Sequence, residues 1–415
     1  VTTLAAGGTS EGTARSSLRR NRDFLSLWGA VGLANLADGV FQVVLPVVLI
    51  VSGAPLTSVP LVLGASRLPW AVLTLHAGVL ADRFDRRGLL ALSYGLRGGA
   101  VATIAAAVTL DWPLVPVAVA CALCVGSAET IGDTTAHSLT PSVVPRTELV
   151  RANGALQSTE LSTNLLIGPA CAGFVAAVSP AAGLVVVGVL YVAAALGTWP
   201  LPRSAVPRDR DRPLRVTDGL RHLLAVPKLR LFAVAVGLLN LAYAVFQSGL
   251  PLKVVGPDDG EVTLGLYWGA SGLVCLLLGG VSARLIARFG ACRVLLTGVA
   301  GLAVGFSTGG ITDNSWVVGV GAAMTGGLVL VNVVTVSYRQ SVVPAHLLGR
   351  VTAAYRLIAF GAFPVGSLVA GLGITWLGVD AALLTTLAPV CLAAALFTIA
   401  HQKGESHDTA IGHQR

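Results

Sequence analysis

Twelve stretches of this chain are continuous apolar runs, near residues 25–51, 57–80, 89–110, 113–137, 150–177, 181–200, 230–254, 263–286, 291–311, 315–338, 351–377 and 380–400. A helix of ~20 such residues crosses a hydrocarbon layer about 30 Å thick. Lipid offers no partner to a backbone N–H or C=O, so only helices and closed barrels can span it. Barrel strands alternate apolar and polar residues, and these runs do not. The chain is therefore expected to be an all-α polytopic membrane protein with twelve transmembrane helices. A mean hydropathy of +0.78 and a charged fraction of 12%, against about 25% for soluble domains, exclude a water-soluble globule. With 415 residues, the spans leave no room for a large extramembrane catalytic domain.

The basic residues between the runs give an orientation. If the N-terminus is cytoplasmic, 24 of the 28 Lys and Arg fall in inner segments, and Lys253 alone falls outside. Cytoplasmic loops carry such an excess, so both termini are expected inside a cell membrane. The same scatter argues against nucleic acid as a partner. Residues 1–23 contain four arginines and no apolar core, and are expected to be a solvated cytoplasmic tail, not a cleaved signal peptide. The one long polar connection, 201–229, is expected to link an N-terminal six-helix bundle over 24–200 to a C-terminal one over 230–400, with 401–415 a second tail. The six cysteines lie in or beside apolar runs, where free thiols act as small hydrophobes.

The halves are copies. Asn35-Leu-Ala-Asp-Gly-Val-Phe-Gln-Val-Val-Leu-Pro46 matches Asn240-Leu-Ala-Tyr-Ala-Val-Phe-Gln-Ser-Gly-Leu-Pro251 at eight of twelve positions, 205 residues apart. Gly78-Val-Leu-Ala-Asp82 with Arg86-Arg-Gly88 aligns with Gly280-Val-Ser-Ala-Arg284 and Arg288-Phe-Gly290 at an offset of 202, and Ser142-Val-Val-Pro145 with Ser341-Val-Val-Pro344 at 199. Two six-helix repeats of parallel topology are the build of one large transporter class, whose substrate site lies between the halves near the bilayer midplane.

Gly78-Val-Leu-Ala-Asp82-Arg83-Phe-Asp-Arg86-Arg87 resembles the G-x-x-x-D-R-x-x-R-R signature that major facilitator transporters carry after the second helix. Asn21-Arg-Asp-Phe24, Ala128-Glu-Thr130 with Asp133, and Arg151-Ala-Asn-Gly154 resemble the branch holding the enterobactin exporter, macrolide efflux proteins and transmembrane secretion effectors. The resemblance covers residues ~20–400 and implies the major facilitator fold and proton-driven export of a small amphipathic molecule. It also assigns Gly78, Asp82, Arg83, Arg86 and Arg87 to a gate at the inner mouth. The fifth-helix motif of drug/proton antiporters, G-x8-G-x3-G-P-x2-G-G, survives here as Gly168-Pro169 and Gly173, with Asn164 and Ala155 replacing glycines. That departure leaves the direction of transport open.

A charge at the centre of a spanning helix costs roughly 2.5–3.5 kcal/mol on insertion scales, so the few that exist are candidates for function. Counting ~1.5 Å per residue, Asp38, Arg67, Arg97 and Glu160 lie near the midplane, two of each sign and all in the first half. They are expected to form one neutralising network for proton coupling. Asn35, Asp38 and Gln42, spaced by three and four, share one helix face. The second copy keeps Asn240 and Gln247 on that stripe, replaces the aspartate by Tyr243, and has no acid inside any span. Coupling therefore belongs to the first half. Burial raises a carboxyl pKa and a nearby arginine lowers it, so an aspartate that alternately meets and loses an arginine can load and release a proton. Asp38 is the expected carrier, and the bland alternative is a permanent salt bridge. Glu129 and Asp133, near the inner end of the fourth helix, are expected to pair with arginines of neighbouring loops, Asp133 with Arg83. Asn35, Gln42, Asn164, Asn240, Tyr243, Phe246 and Gln247 are the expected substrate contacts.

No lysine follows a glycine in a phosphate-loop pattern, so neither nucleotide hydrolysis nor any cofactor is implied. Gly305-Phe-Ser-Thr-Gly309 has the spacing of a nucleophile elbow, but that needs a strand-to-helix turn and this lies in an apolar helical run. The chain is not expected to be an enzyme. It is expected to act as a monomer whose partners are a small-molecule substrate, protons and the lipid bilayer, working as a proton/solute antiporter for export. The alternatives are a uniporter or symporter for import, and a membrane receptor or lipid-handling protein that moves no solute.

Overall fold

The computed structural model describes residues 18–203, 216–255 and 260–412; the side chains of Asp82, Arg146 and a few others, and the tail before residue 18, fall outside the described residues. Twelve helices follow one another as expected: α1 Arg22–Val51, α2 Ser58–Arg83, α3 Arg86–Thr109, α4 Leu114–Val143, α5 Leu149–Val178, α6 Pro180–Gly197, α7 Pro227–Val254, α8 Gly260–Phe289, α9 Ala291–Ile311, α10 Ser315–Val342, α11 Leu347–Leu377 and α12 Val379–Gln402. A short helix, Val216–Ala225, precedes α7. Eleven of the twelve are long and apolar enough to cross a membrane; the described apolar part of α2 is Ser58–Leu73. No strand occurs among the described residues.

Local chemistry sets the ends. Asn21 caps α1 by accepting from the Phe24 N–H at 3.1 Å, and its amide donates to the Val143 carbonyl at 2.7 Å, tying the start of α1 to the end of α4. Asp85 caps α3 through the Gly88 N–H at 3.0 Å. Gly290 and Gly378 turn the chain at φ 82° and 84°, a region L side chains rarely enter. The helices α1 and α7, matched by the repeat, are the most enclosed, each with about two-thirds of its most apolar stretch buried, whereas in α8 only 11% of that stretch is buried. The sequence repeat thus places its longest match on the two most enclosed helices.

The halves meet along α2 with α11 and α5 with α8. A methyl group on Gly64 would lie 2.9 Å from the Ser367 Cβ, and Gly371 and Gly361 face Pro60 and Ala71. On the other side, Gly265 and Gly173 approach the Pro169 and Glu261 carbonyls, each at 2.6 Å from an added Cβ. All these contacts fall on the first part of α2 and α8 and the last part of α5 and α11, the end of the molecule away from the arginine-rich loops. Toward the arginine-rich end, His137 and Arg356 are exposed and Asp133 is half-buried at membrane depth. Charged groups at that depth line water-filled clefts, not lipid. The two halves are therefore sealed at one end and parted at the arginine-rich end.

Inside α5, residues Ser162–Ile167 form a π-turn in which the Gly168 N–H reaches back to Thr163. Pro169 has no N–H to offer Leu165, which loosens the ladder here. The bulge is where α5 touches both α1 and α8: Gly39 and Gly272 lie against the carbonyls of Asn164 and Leu165. A Cβ on Gly39 would sit 2.6 Å from the Asn164 oxygen and 2.9 Å from that of Thr163, both backbone. Overpacking of this kind costs about 1–3 kcal/mol. Gly39→Ala is expected to lower the thermal midpoint of the purified protein, and an unchanged midpoint would show that α5 yields freely at the bulge.

Candidate functional site

A charged cluster lies between α1, α2, α3, α4 and α6. Its centre is Arg97, fully buried on α3. Its Nη1 donates to both carboxylate oxygens of Asp38, at 3.2 and 3.0 Å, and Nη2 lies 3.4 Å from the Ala128 carbonyl and 3.7 Å from Asp133 Oδ1. Tyr94 and Tyr191 place their rings 5.6 and 5.8 Å from the guanidinium, and the Tyr191 hydroxyl donates to Asp38 at 2.5 Å. Gly132 makes the space, since a Cβ there would lie 3.0 Å from Arg97 Nη2. Arg67 on α2 pairs with Glu129 on α4 at 3.6 Å and covers the Phe363 ring of the opposite half at 5.9 Å.

The expected network is thus partly redrawn. Arg97 and Asp38 meet as the sequence suggested. Among the described residues Glu160 pairs with no arginine and lies 3.8 Å from His137 Nε2 on α4, since its depth along α5 does not fix which neighbouring helix it faces. Glu129 and Asp133, one helix turn apart on α4, face Arg67 and Arg97 and none of the described loop arginines. Arg83, the anticipated partner of Asp133, is exposed at the end of α2. Three carboxylates therefore share two guanidiniums. Arg356 on α11 lies within electrostatic reach of Asp133 from the opposite half.

Next to this cluster is a small central cavity lined by Asp38, Gln42, Arg67, Glu129, Asn164 and Gln247, with Phe41 and Ser66 beside them. The Gln247 carbonyl oxygen is buried and has no hydrogen-bond partner. Asn35 accepts from Asn164 at 3.3 Å, joining α1 to the bulge of α5. Four of the seven expected substrate contacts, Asn35, Asn240, Tyr243 and Phe246, do not line it. Phe246 is fully buried against Phe306 and Trp268, 5.1 and 5.8 Å away, and Asn240 donates to the Ala359 carbonyl at 2.8 Å, the interhelical bond that amides in membranes commonly make. Both positions face the packed interior of the second half because α7 turns only part of its stripe to the cavity. Tyr243 sits within an aromatic set of Trp268, Phe306 and Phe363.

The signature loop binds the first half together. Arg86 donates to the Ala81 and Ser138 carbonyls at 3.1 and 3.0 Å, and Arg87 to that of Leu201 at 3.2 Å while covering the Trp199 ring. Gly78 has open space around it, and the side chain of Asp82 lies outside the described residues. Sequence reasoning missed Tyr191, although a single hydroxyl-bearing aromatic in the otherwise apolar 180–197 run was a visible signal. It also missed Ser66 and Phe41 in the cavity wall, although Phe41 is the repeat counterpart of Phe246.

A family model described as transmembrane secretion effector matches residues 13–412. The MFS-type transporter y4rN of Sinorhizobium fredii is 27% identical over 380 residues, 86% of this chain and 90% of the relative. The enterobactin exporter EntS of Shigella boydii is 31% identical over 173 residues, 40% of this chain and 41% of the exporter. Among solved structures, the nucleoside transporter NupG superposes with a TM-score of 0.76 at 12% identity, covering 91% of this chain and 98% of that one. A bacterial homologue of the iron transporter ferroportin, in an inward-facing state, superposes at 0.72 and 18% identity, over 92% and 99%.

Proposed function

The chain belongs to the transmembrane secretion effector family of major facilitator transporters, and on that footing we propose that it is a proton-coupled antiporter exporting a small amphipathic molecule by alternating access. The observation that carries the reading is the charge count at the cavity wall: three carboxylates, Asp38, Glu129 and Asp133, against two guanidiniums, Arg67 and Arg97. Fully ionised, these first-half groups hold one net negative charge, which one proton neutralises, and Arg356 of the opposite half lies within electrostatic reach of it across the cleft. Asp38 borders both Arg97 and the cavity, so a cationic or hydrogen-bonding solute and a proton compete for the same carboxylate. That competition is the elementary step of exchange.

The arginine-rich end is taken as cytoplasmic, both termini with it, from the excess of basic residues there. The parted end then faces the cytoplasm, where an exporter collects its solute. Gln247, whose carbonyl oxygen has no partner among the described residues, and Phe41 line the cavity, and Phe363 lies against Arg67 at its edge; a hydrogen-bond acceptor beside aromatic faces suits an aromatic amphiphile. The exporting relative EntS supports the direction. Expression in a host stripped of its own exporters is expected to lower intracellular accumulation of at least one amphipathic antibiotic or dye from a diverse panel. Collapse of the proton gradient should restore accumulation. Raised accumulation would identify an importer and overturn the proposal.

A further inference from the structure

A second cavity, of about 370 Å³, lies inside the second half at the arginine-rich end, between the first turns of α7 and α9 and the last turns of α8, α10 and α12. Its wall is apolar, with Phe232, Leu295, Val334 and Phe397 among its residues, and Lys228 and His401 stand at its rim. Lys228 lays its ammonium 4.5 Å from the Tyr338 ring centre and 5.9 Å from that of Phe232. No carboxylate lines the cavity, and no described acid pairs with Lys228.

The repeat shows that this space is not required by the fold. Phe232, Cys292 and Tyr338 correspond, at offsets of 205, 202 and 199, to Leu27, Leu90 and Leu139. Those three leucines are fully buried in one apolar cluster, completed by Leu18, Phe24 and Leu201. The first half also closes its end with Arg86 and Arg87 on the Ser138 and Leu201 carbonyls. At the position of Arg87 the second copy has Phe289, which is exposed. The same architecture is filled in one half and hollow in the other.

We propose that this cavity binds an anionic phospholipid, its phosphate at Lys228 and the upper part of an acyl chain along Phe232, Leu295 and Phe397. The volume falls in the range of small-molecule sites, roughly 300–1,000 Å³. Its depth is that of the headgroup region, where basic pockets between helices take acidic lipid heads. A lysine whose ammonium lies against two aromatic rings, with no acid paired to it among the described residues, offers one positive charge at the border of an apolar chamber, the arrangement an amphiphile with an anionic head complements. A hydrated free phosphate would gain nothing from the apolar wall.

The purified full chain in detergent tests this by its thermal midpoint with added phosphatidylglycerol, phosphatidylcholine or inorganic phosphate. Phosphatidylglycerol is expected to raise the midpoint by about 2–4 °C more than phosphatidylcholine, and inorganic phosphate to leave it unchanged. K228M keeps the stem and removes the charge, and C292L restores the filling of the first half; both are expected to abolish the difference between the two lipids. Native mass spectrometry should find phosphatidylglycerol retained by the unmodified chain and not by K228M. An equal lipid effect in all three proteins, or a matching shift from inorganic phosphate alone, would overturn the assignment. Neither substitution touches the central cluster, so this outcome is separable from the transport reading.

Discussion

Arg97→Gln is expected to destabilise the protein more than any other single change at the central cluster. The guanidinium is fully buried, holds Asp38 through one nitrogen and faces Asp133 with another. Removing one partner of a buried ion pair costs about 3–5 kcal/mol, because the remaining charge is left in a medium that cannot solvate it. Here Asp38, almost wholly buried, loses its cation, and Asp133, more open to the cleft, loses one of the guanidiniums near it. The expected result is a sharply lowered thermal midpoint and a reduced folded yield in detergent. Lowering the pH should recover part of the loss, since protonation removes the stranded charges. The double variant Arg97→Gln with Asp38→Asn should be more stable than Arg97→Gln alone, as the second change removes the uncompensated acid. If Arg97→Gln unfolds at the same temperature as the unmodified chain, water reaches the cluster freely and the pair contributes little.

The fold was largely legible because the bilayer imposes a rule that composition alone can express. Each span must satisfy its own backbone, so a continuous apolar run of sufficient length has few other fates. The duplication was legible for a different reason: Asn35 to Pro46 and Asn240 to Pro251 lie on α1 and α7, where enclosure on most sides constrains most positions. Side-chain pairing was harder to read. Asp38 and Arg97 could be matched because rare opposite charges at equal depth have few partners to choose from. Glu129 and Asp133 were misassigned to the loops because α4 continues to Val143, which places both acids deeper than the shorter expected span allowed. Glu160 was misplaced because its depth along α5 says nothing of which neighbouring helix its side chain faces, and that helix is α4 with His137. Phe246 and Asn240 show the limit of reasoning by repeat. Copying a stripe of residues preserves its spacing, but the rotation of α7 against its neighbours depends on partners such as Ala359 and Phe306 that lie more than fifty residues away.

Under the proposed coupling, the asymmetry of the halves decides what a bound proton would do. The first half carries the buried acids and their arginines; at the matching level the second carries Tyr243 among Trp268, Phe306 and Phe363. A proton bound in the first half therefore changes the charge on one wall of the cleft only. Arg356, facing Asp133 from the other half, would sense that change across the opening. When the cluster is ionised, attraction between Asp133 and Arg356 favours drawing the parted end together; neutralisation removes it.

Asp38→Asn is expected to abolish gradient-driven transport while leaving the bundle folded. The asparagine keeps the size of the side chain and can still accept from Tyr191 and Arg97, so the geometry around α1, α3 and α6 persists. It cannot take up a proton, and its loss removes the one net negative charge that the cluster carries when fully ionised. In sealed vesicles containing the purified chain, net flux under an imposed pH difference should fall at least about tenfold, a barrier change near 1.4 kcal/mol. Exchange of labelled for unlabelled solute at equal pH should persist, because that reaction needs alternating access but no proton. The split between the two assays distinguishes coupling from structure: a salt bridge that merely fixed packing would, when weakened, depress both. Asp38→Asn transport that still follows the pH gradient would move the proton to Glu129, Asp133 or Glu160. Asp133→Asn and Glu129→Gln, each also removing one negative charge but at a greater distance from the solute cavity or beside Arg67, would then separate these sites by which of them loses gradient dependence.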